Sequence, residues 1–112
     1  MSSARIWMAA GAAALVLVAT GPVAAADLVA AKKTVTETCQ ACHGMDGNSP
    51  LPENPKLGGQ NGDYLAKALR DYKSGARKNP VMGAMAGTLT AKDIENVAAY
   101  YSGQPAVLQA RY

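Results

Sequence analysis

Apolar residues recur at helical spacing in three segments of the chain. The spacing predicts helices over Leu28–Cys39, Asp63–Ser74 and Thr90–Ser102. Gly75 and Gly103 stand just past the ends of the second and third segments, where glycine commonly stops a helix. No segment shows the alternation of apolar and polar residues that is typical of a strand. The pattern therefore predicts an all-α fold.

Two long stretches between these helices lack a regular period. Gln40–Gly62 and Gly75–Leu89 are punctuated by glycine and proline, and we expect both to be irregular. A loop of about 20 residues is uncommon in a small domain unless it is functional or wraps around something. The apolar faces of the three helices are also narrow. The pattern therefore predicts that an apolar group fills the space between them.

The first 26 residues have the organisation of a secretory signal. Met1–Arg5 is short and positive, Ile6–Ala19 is almost continuously apolar, and Ala24–Ala26 offers small residues to a signal peptidase. We expect residues 1–26 to be cleaved before Asp27, which places the protein in the periplasm. The alternative is an uncleaved anchor, since roughly 20 apolar residues span a bilayer. Both interpretations place the domain outside the cytoplasm.

Composition limits what the rest of the chain can be. Residues 27–112 make one small domain, and the chain has no Phe. Its single Trp, Trp7, lies in the predicted signal. A domain this small and poor in bulky side chains usually needs a disulfide, a metal or a cofactor for stability. The net charge of +3 comes without a basic run, so we expect no nucleic acid as a partner.

One short motif carries the candidate chemistry. Cys39-Gln40-Ala41-Cys42-His43 contains both cysteines and the single histidine of the chain. The C-x-x-C-H spacing is the attachment signature of c-type haem. Cysteines three apart reach two vinyl groups of one haem, and the adjacent histidine points at the iron.

Three other uses of the motif fit less well. A thioredoxin-like redox pair needs a βαβ setting, which the pattern lacks. A structural zinc site needs four ligands, and the motif supplies three, two of them adjacent. A plain structural disulfide explains the cysteines but not the histidine. Covalent haem is therefore the favoured interpretation.

A haem iron has a second axial position, for which the chain offers no second histidine. Met45 follows His43 by two residues and is expected on the same side of the haem. Met82 and Met85 lie in the later irregular stretch, which can fold over the other face. A methionine ligand would raise the reduction potential, although a methionine also commonly fills gaps in a core. The residues alone do not separate Met82 from Met85.

Several separate blocks, in this order, carry a resemblance to a known family. The blocks are Cys39–Gly44, Asp46–Ser49, Pro55–Gln60, Tyr64–Leu65, Leu69, Asp71–Gly75, Arg77, Asn79–Met82, Leu89–Thr90, Asp93–Ile94 and Ala98–Tyr101. With them the chain resembles the class I c-type cytochromes of the small bacterial periplasmic branch, and one half of the tandem two-haem cytochromes in particular. The resemblance implies a cytochrome c domain over residues 27–112. Its fold would be three or four short helices and long loops around one covalently attached haem.

The resemblance also implies roles for individual residues. It selects Met82 as the axial ligand, because the methionine of this branch precedes the leucine that introduces the last helix by seven residues, and that leucine is Leu89 here. His43 and Met82 would thus be the metal ligands, and Met85 would be a variable neighbour. The carbonyl of Pro55 would support His43.

Further residues would complete the haem pocket. The resemblance implies that Leu57 lines it, together with Leu65, Leu69 and Tyr101. Arg77 and Gln60 would bond the haem propionates.

The function implied by the resemblance is one-electron transfer, with iron cycling between Fe(III) and Fe(II). Two fixed ligands leave no open site, so we expect no enzymatic activity. The partners would be redox proteins: a terminal oxidase, a quinol–cytochrome c reductase or a periplasmic dehydrogenase. The alternative is a haem subunit of a larger periplasmic oxidoreductase of sulfur compounds or alcohols, and a haem sensor is a more remote one. We expect a monomer or weak dimer, without a membrane span once the signal is cleaved.

Overall fold

In the part of the chain that the structure describes, five α-helices and one π-helical turn follow one another. The computed structural model describes residues 10–18 and 25–107. The elements are α1 (Leu28–Thr34), the π-turn (Val35–Cys39), α2 (Gln40–His43), α3 (Gly62–Ser74), α4 (Pro80–Gly87) and α5 (Ala91–Ser102). Neither described range contains a strand, and the predicted all-α fold is confirmed.

Most of the predicted secretory signal lies outside the residues that the structure describes. Residues 1–9 and 19–24 lie outside the described residues, so the cleavage of 1–26 before Asp27 stays a prediction. Residues 10–18 form no regular element. Within the two described ranges, no helix is both long and apolar enough to cross a membrane.

Helix α4 corrects one prediction from the sequence. The stretch Gly75–Leu89 was expected to be irregular, but eight of its residues, Pro80–Gly87, are helical. The Asn79 side chain accepts hydrogen bonds from two backbone N–H groups of the first turn, and Pro80 occupies a first-turn position that tolerates proline. The sequence pattern did not predict this helix because it contains two glycines, and each glycine lowers the stability of a helix by about 1 kcal/mol relative to alanine.

Side chains fix the starts of the other long helices. Asp27 accepts from two backbone N–H groups at the start of α1, and Asn61 accepts from the backbone N–H of Tyr64 at the start of α3. At α5, Thr90 and Asp93 form a reciprocal capping box. These caps fix the residue at which each helix begins.

The core lies where α5 meets α1 and α3, while α3 also packs against α4. Its buried side chains are Val35, Leu65, Leu89, Ile94, Val97 and Tyr101, joined by small alanines. Buried Asn96 of α5 accepts a hydrogen bond of 2.9 Å from the backbone N–H of Asp27. This bond ties the start of α1 to α5.

The long loop after α2 is fastened to the segment that follows α5. The Asn48 side chain donates to the Pro105 carbonyl at 2.9 Å and accepts from the backbone N–H of Val107 at 3.1 Å. Gly58 allows this approach, because an added Cβ would lie 2.8 Å from the Pro105 oxygen. Residues 105–107 therefore hold the loop against the domain.

Candidate functional site

A cavity of about 750 Å³ opens between the helices and the long loop. Its volume falls in the range of about 300–1,000 Å³ that is usual for small-molecule and cofactor sites. The cavity wall includes the following seven of the residues that the sequence placed at the site: Cys39, Cys42, His43, Pro55, Leu57, Arg77 and Met82. The structure thus gathers in one place residues that lie up to 43 positions apart in the sequence.

The C-x-x-C-H segment enters this cavity through the π-turn and the short helix α2. Cys39 ends the π-turn and is half-buried, whereas Cys42 is exposed, and no disulfide joins them. Burial raises the pKa of the Cys39 thiol to about 11. Gly44 ends α2 directly after His43, with a φ of 80° that favours glycine.

The imidazole of His43 is held in one orientation. Its Nδ1 lies 2.9 Å from the carbonyl oxygen of Pro55, and the residue is 7% exposed. Because a carbonyl oxygen only accepts, Nδ1 carries the proton and donates it. In the neutral ring, the other nitrogen, Nε2, carries no proton and has its lone pair available for a metal ion.

Helix α4 brings two thioethers to the cavity. Met82 and Met85 both contribute to the wall, three residues apart on the helix. Met82 is half-buried, and its backbone N–H donates to the Asn79 side chain at 2.9 Å. Met85 is 40% exposed. Met45 instead lies beside Thr36, whose hydroxyl donates to the Met45 sulfur at 3.7 Å.

The cavity wall also carries polar and charged side chains. The Arg77 guanidinium carbon lies 4.8 Å from the centre of the Tyr72 ring, a cation–π arrangement. Gln60, Tyr64 and Asn79 also line the cavity. The sequence analysis missed Tyr72 and Asn79 as wall residues, because it named both only within the blocks that carry the family resemblance.

The chemistry of the donor set fits a haem of the c type. Two thiols at the attachment spacing, one unprotonated imidazole nitrogen and a thioether face an apolar cavity wall that also carries cationic Arg77. Imidazole and thioether are the axial ligands of cytochromes c, and thiols form the covalent links. Cys39, Cys42, His43 and a methionine are the residues that would hold the group.

Comparison with known proteins agrees with this fit. The family model described as "Cytochrome C oxidase, cbb3-type, subunit III" matches residues 26–100. Cytochrome c4 of Pseudomonas aeruginosa is 42% identical over 90 residues, which cover 80% of this chain and 45% of that protein. The cytochrome subunit of sulfide dehydrogenase of Chlorobaculum tepidum is 39% identical over 101 residues, covering 80% of this chain and 91% of that protein.

A solved structure shows the same fold. The crystal structure of reduced recombinant cytochrome c4 from Pseudomonas stutzeri superposes with a TM-score of 0.66 and 43% sequence identity. The match covers 72% of this chain and 47% of that one. The chain therefore spans about half the length of the cytochromes c4 that it resembles.

The family and the site lead to the same cofactor. Members of this group carry covalently bound haem c with its iron, and Cys39 and Cys42 have the attachment spacing. The predicted cytochrome c fold is likewise confirmed by the structural match. The chain belongs to the class I c-type cytochromes, in the family described as cytochrome c oxidase, cbb3-type, subunit III.

Proposed function

We propose that the protein is a periplasmic one-electron carrier whose haem iron is held by His43 and Met82. The observation that carries the proposal is the bond between His43 Nδ1 and the Pro55 carbonyl. It leaves Nε2 as the metal-binding nitrogen at a cavity that also presents a thioether. A histidine–methionine pair occupies both axial positions of a haem, which suits electron transfer rather than substrate binding.

The choice of Met82 over Met85 rests on how the backbone of Met82 is fixed and on the burial of the two residues. The backbone N–H of Met82 is fixed by the Asn79 side chain at the start of α4, and Met82 is half-buried. Met85 is 40% exposed, one turn further along. A ligand that is held in place keeps the cost of reorganisation small when the iron changes its charge. The resemblance noted in the sequence favours Met82 for the same position.

Other wall residues would bind and orient the cofactor. The haem supplies the redox chemistry, as its iron cycles between Fe(III) and Fe(II). The Pro55 carbonyl fixes the ring of His43 and makes it a more basic ligand. Leu57 contributes an apolar side chain to the wall, and the Arg77 guanidinium, positioned against Tyr72, would pair with a propionate.

The partners would be redox proteins that approach the exposed edge of the site. Cys42 is exposed, and so are Val81 and Met85 of α4, which also line the cavity. Electron-transfer encounters are usually small, with less than about 1,200 Å² buried in total. Candidate partners are a terminal oxidase, a quinol–cytochrome c reductase or a periplasmic dehydrogenase. We infer no enzymatic activity of the chain itself, because two protein ligands leave no open position at the iron.

A second candidate function is supported by one of the relatives. The sulfide dehydrogenase cytochrome subunit of Chlorobaculum tepidum is covered by this chain over 91% of its length. On this basis the chain would be the haem subunit of a larger periplasmic oxidoreductase. The two candidates differ in assembly, since a subunit co-purifies stably with its catalytic partner and a free carrier does not.

The experiment begins with export in a host that attaches haem c. Acidified organic solvent removes non-covalent haem, and the expected result is that haem stays with the polypeptide. The purified protein should then be reduced and reoxidised reversibly, and the ferrous form should not bind carbon monoxide at neutral pH. Haem that extracts freely would contradict the proposal. Ready binding of carbon monoxide would favour a sensor instead.

A further inference from the structure

The helix that leads into the attachment motif contains one widened turn. In the π-turn Val35–Cys39, the backbone N–H of Gln40 donates to the carbonyl of Val35, five residues earlier. An α-helix would pair it with the carbonyl of Thr36, four residues earlier. The π-turn therefore holds one residue more than an α-turn, a feature that often occurs at functional sites.

The extra residue changes which side of the helix His43 faces. In an uninterrupted α-helix, His43 would lie about 80° around the axis from Val35, since each residue turns by about 100°. One additional residue in the turn rotates the following segment back toward the side of Val35. In the structure Val35 is 0% and His43 is 7% exposed, so the side chains at the start of the π-turn and at the end of α2 are both buried. The widened turn thus brings the Val35 side chain and the His43 imidazole toward the same side of the helix.

A widened turn leaves one carbonyl without its backbone partner. Here it is the carbonyl of Thr36, because the N–H of Gln40 has moved to Val35. The side chain of the same residue fills the gap: Gln40 Nε2 donates to the Thr36 carbonyl at 2.9 Å. Gln40 therefore supplies two hydrogen bonds to the turn, one from its backbone N–H to Val35 and one from its side-chain amide to Thr36.

We propose that Gln40 is a positioning residue, whose side-chain amide holds the π-turn and so sets the orientation of His43 toward the haem. The proposal rests on the proposed function, in which His43 is an iron ligand. It assigns a role to Gln40, which lies inside the motif but neither attaches the cofactor nor ligates its metal. Because Gln40 is exposed, water can replace its bond, and we expect a shift in ligand geometry rather than loss of the fold.

Three variants separate this bond from other effects. Gln40→Met keeps the length of the side chain but has no donor, and Gln40→Lys keeps a donor. Gln104→Met is the matched control, because Gln104 Nε2 likewise donates to a carbonyl four residues earlier, that of Tyr100, at 3.4 Å. Gln104 follows α5 and does not line the cavity.

The readout is the set of haem-methyl proton shifts in the NMR spectrum of the ferric holoprotein, which depends on the orientation of the axial imidazole. We expect Gln40→Met to shift this pattern, and Gln40→Lys and Gln104→Met to keep that of the wild type. A wild-type pattern in Gln40→Met would overturn the proposal. So would a failure of both Gln40 variants to yield holoprotein, because the variant that keeps a donor should behave as wild type. Wild-type protein without covalent haem would instead overturn the proposed function, and this inference with it.

Discussion

The hydroxyl of Tyr101 links the last helix to the haem-attachment segment, and its removal is the prediction we develop first. Tyr101 is 1% exposed, and its hydroxyl donates to the carbonyl of Gly44 at 3.0 Å. Gly44 directly follows His43 and ends α2. Tyr101→Phe keeps the ring and its packing but leaves the Gly44 carbonyl without this donor.

The size of the effect follows from the loss of this bond. The Gly44 carbonyl keeps a second hydrogen bond from the backbone N–H of Gly47 at 3.3 Å, so the variant loses one bond and leaves no acceptor unsatisfied. One such bond between neutral groups contributes about 0.5–1.5 kcal/mol to stability. For a domain of this size, each 1 kcal/mol lowers Tm by about 4–8 °C, so Tm should fall by roughly 2–12 °C.

The assay is thermal unfolding of the ferric holoprotein beside a matched control. Tyr100→Phe removes the hydroxyl of the neighbouring ring, which stacks edge-on against Tyr101 at 5.4 Å between centroids. No described residue bonds the Tyr100 hydroxyl, so this variant should match the wild type within about 0.5 kcal/mol. Equal Tm values for the two variants would refute the reasoning.

Four further changes have expected outcomes. Burial raises the pKa of the Tyr101 hydroxyl in the folded protein, so the neutral hydroxyl stabilises the fold below pH ~10 and this stabilisation should be lost as the pH rises further. A Tyr101→Phe variant that loses the same stability at alkaline pH in denaturant titrations would contradict this. Gly47→Ala should lower the denaturant midpoint sharply, since the φ of Gly47 is 73° and the added Cβ would lie 2.6 Å from a backbone nitrogen. In the control Gly87→Ala the added Cβ meets nothing within 4 Å, so this variant should be neutral or stabilising by up to about 1 kcal/mol. Similar midpoints for the two variants would argue against the backbone conformation assigned to Gly47. Asn48→Ala should speed proteolytic removal of the segment after α5, because two hydrogen bonds to it are lost; an unchanged cleavage rate would show that the segment is held otherwise. Asn79→Ala should cost about 1 kcal/mol at the start of α4, measured by urea unfolding, and no change would mean that the cap is not formed in solution.

The sequence predicted the helices that have a regular apolar face and clear signals at their ends. Helix α3 runs from Gly62 to Ser74, within one residue of the prediction, and α5 begins one residue after the predicted start. Both have a capping side chain and a glycine after the last turn, which local pattern detects. Helix α4 was missed because two glycines mask its propensity, while its stability comes from the Asn79 cap and from packing on α3.

The π-turn and the cavity wall show a different limit of the sequence. The periodicity of Leu28–Cys39 predicts one continuous helix, and no composition signal marks a turn that is one residue wider. The motif at Cys39–His43 identified the chemistry directly, because residue type and spacing carry it. The position of Tyr72 at the wall depends on how α3 packs, which only the assembled structure shows.

The most direct test of the central claim is the absorption spectrum of the ferric protein in the region of the sulfur-to-iron charge-transfer band. His43 and Met82 as ligands predict that the wild type and Met85→Ala show this band and that Met82→Ala loses it. Met85→Ala is a fair control, since it removes a similar thioether from the same helix and the same cavity wall. A band that survives in Met82→Ala, or disappears only in Met85→Ala, would contradict the assignment of Met82 as the axial ligand.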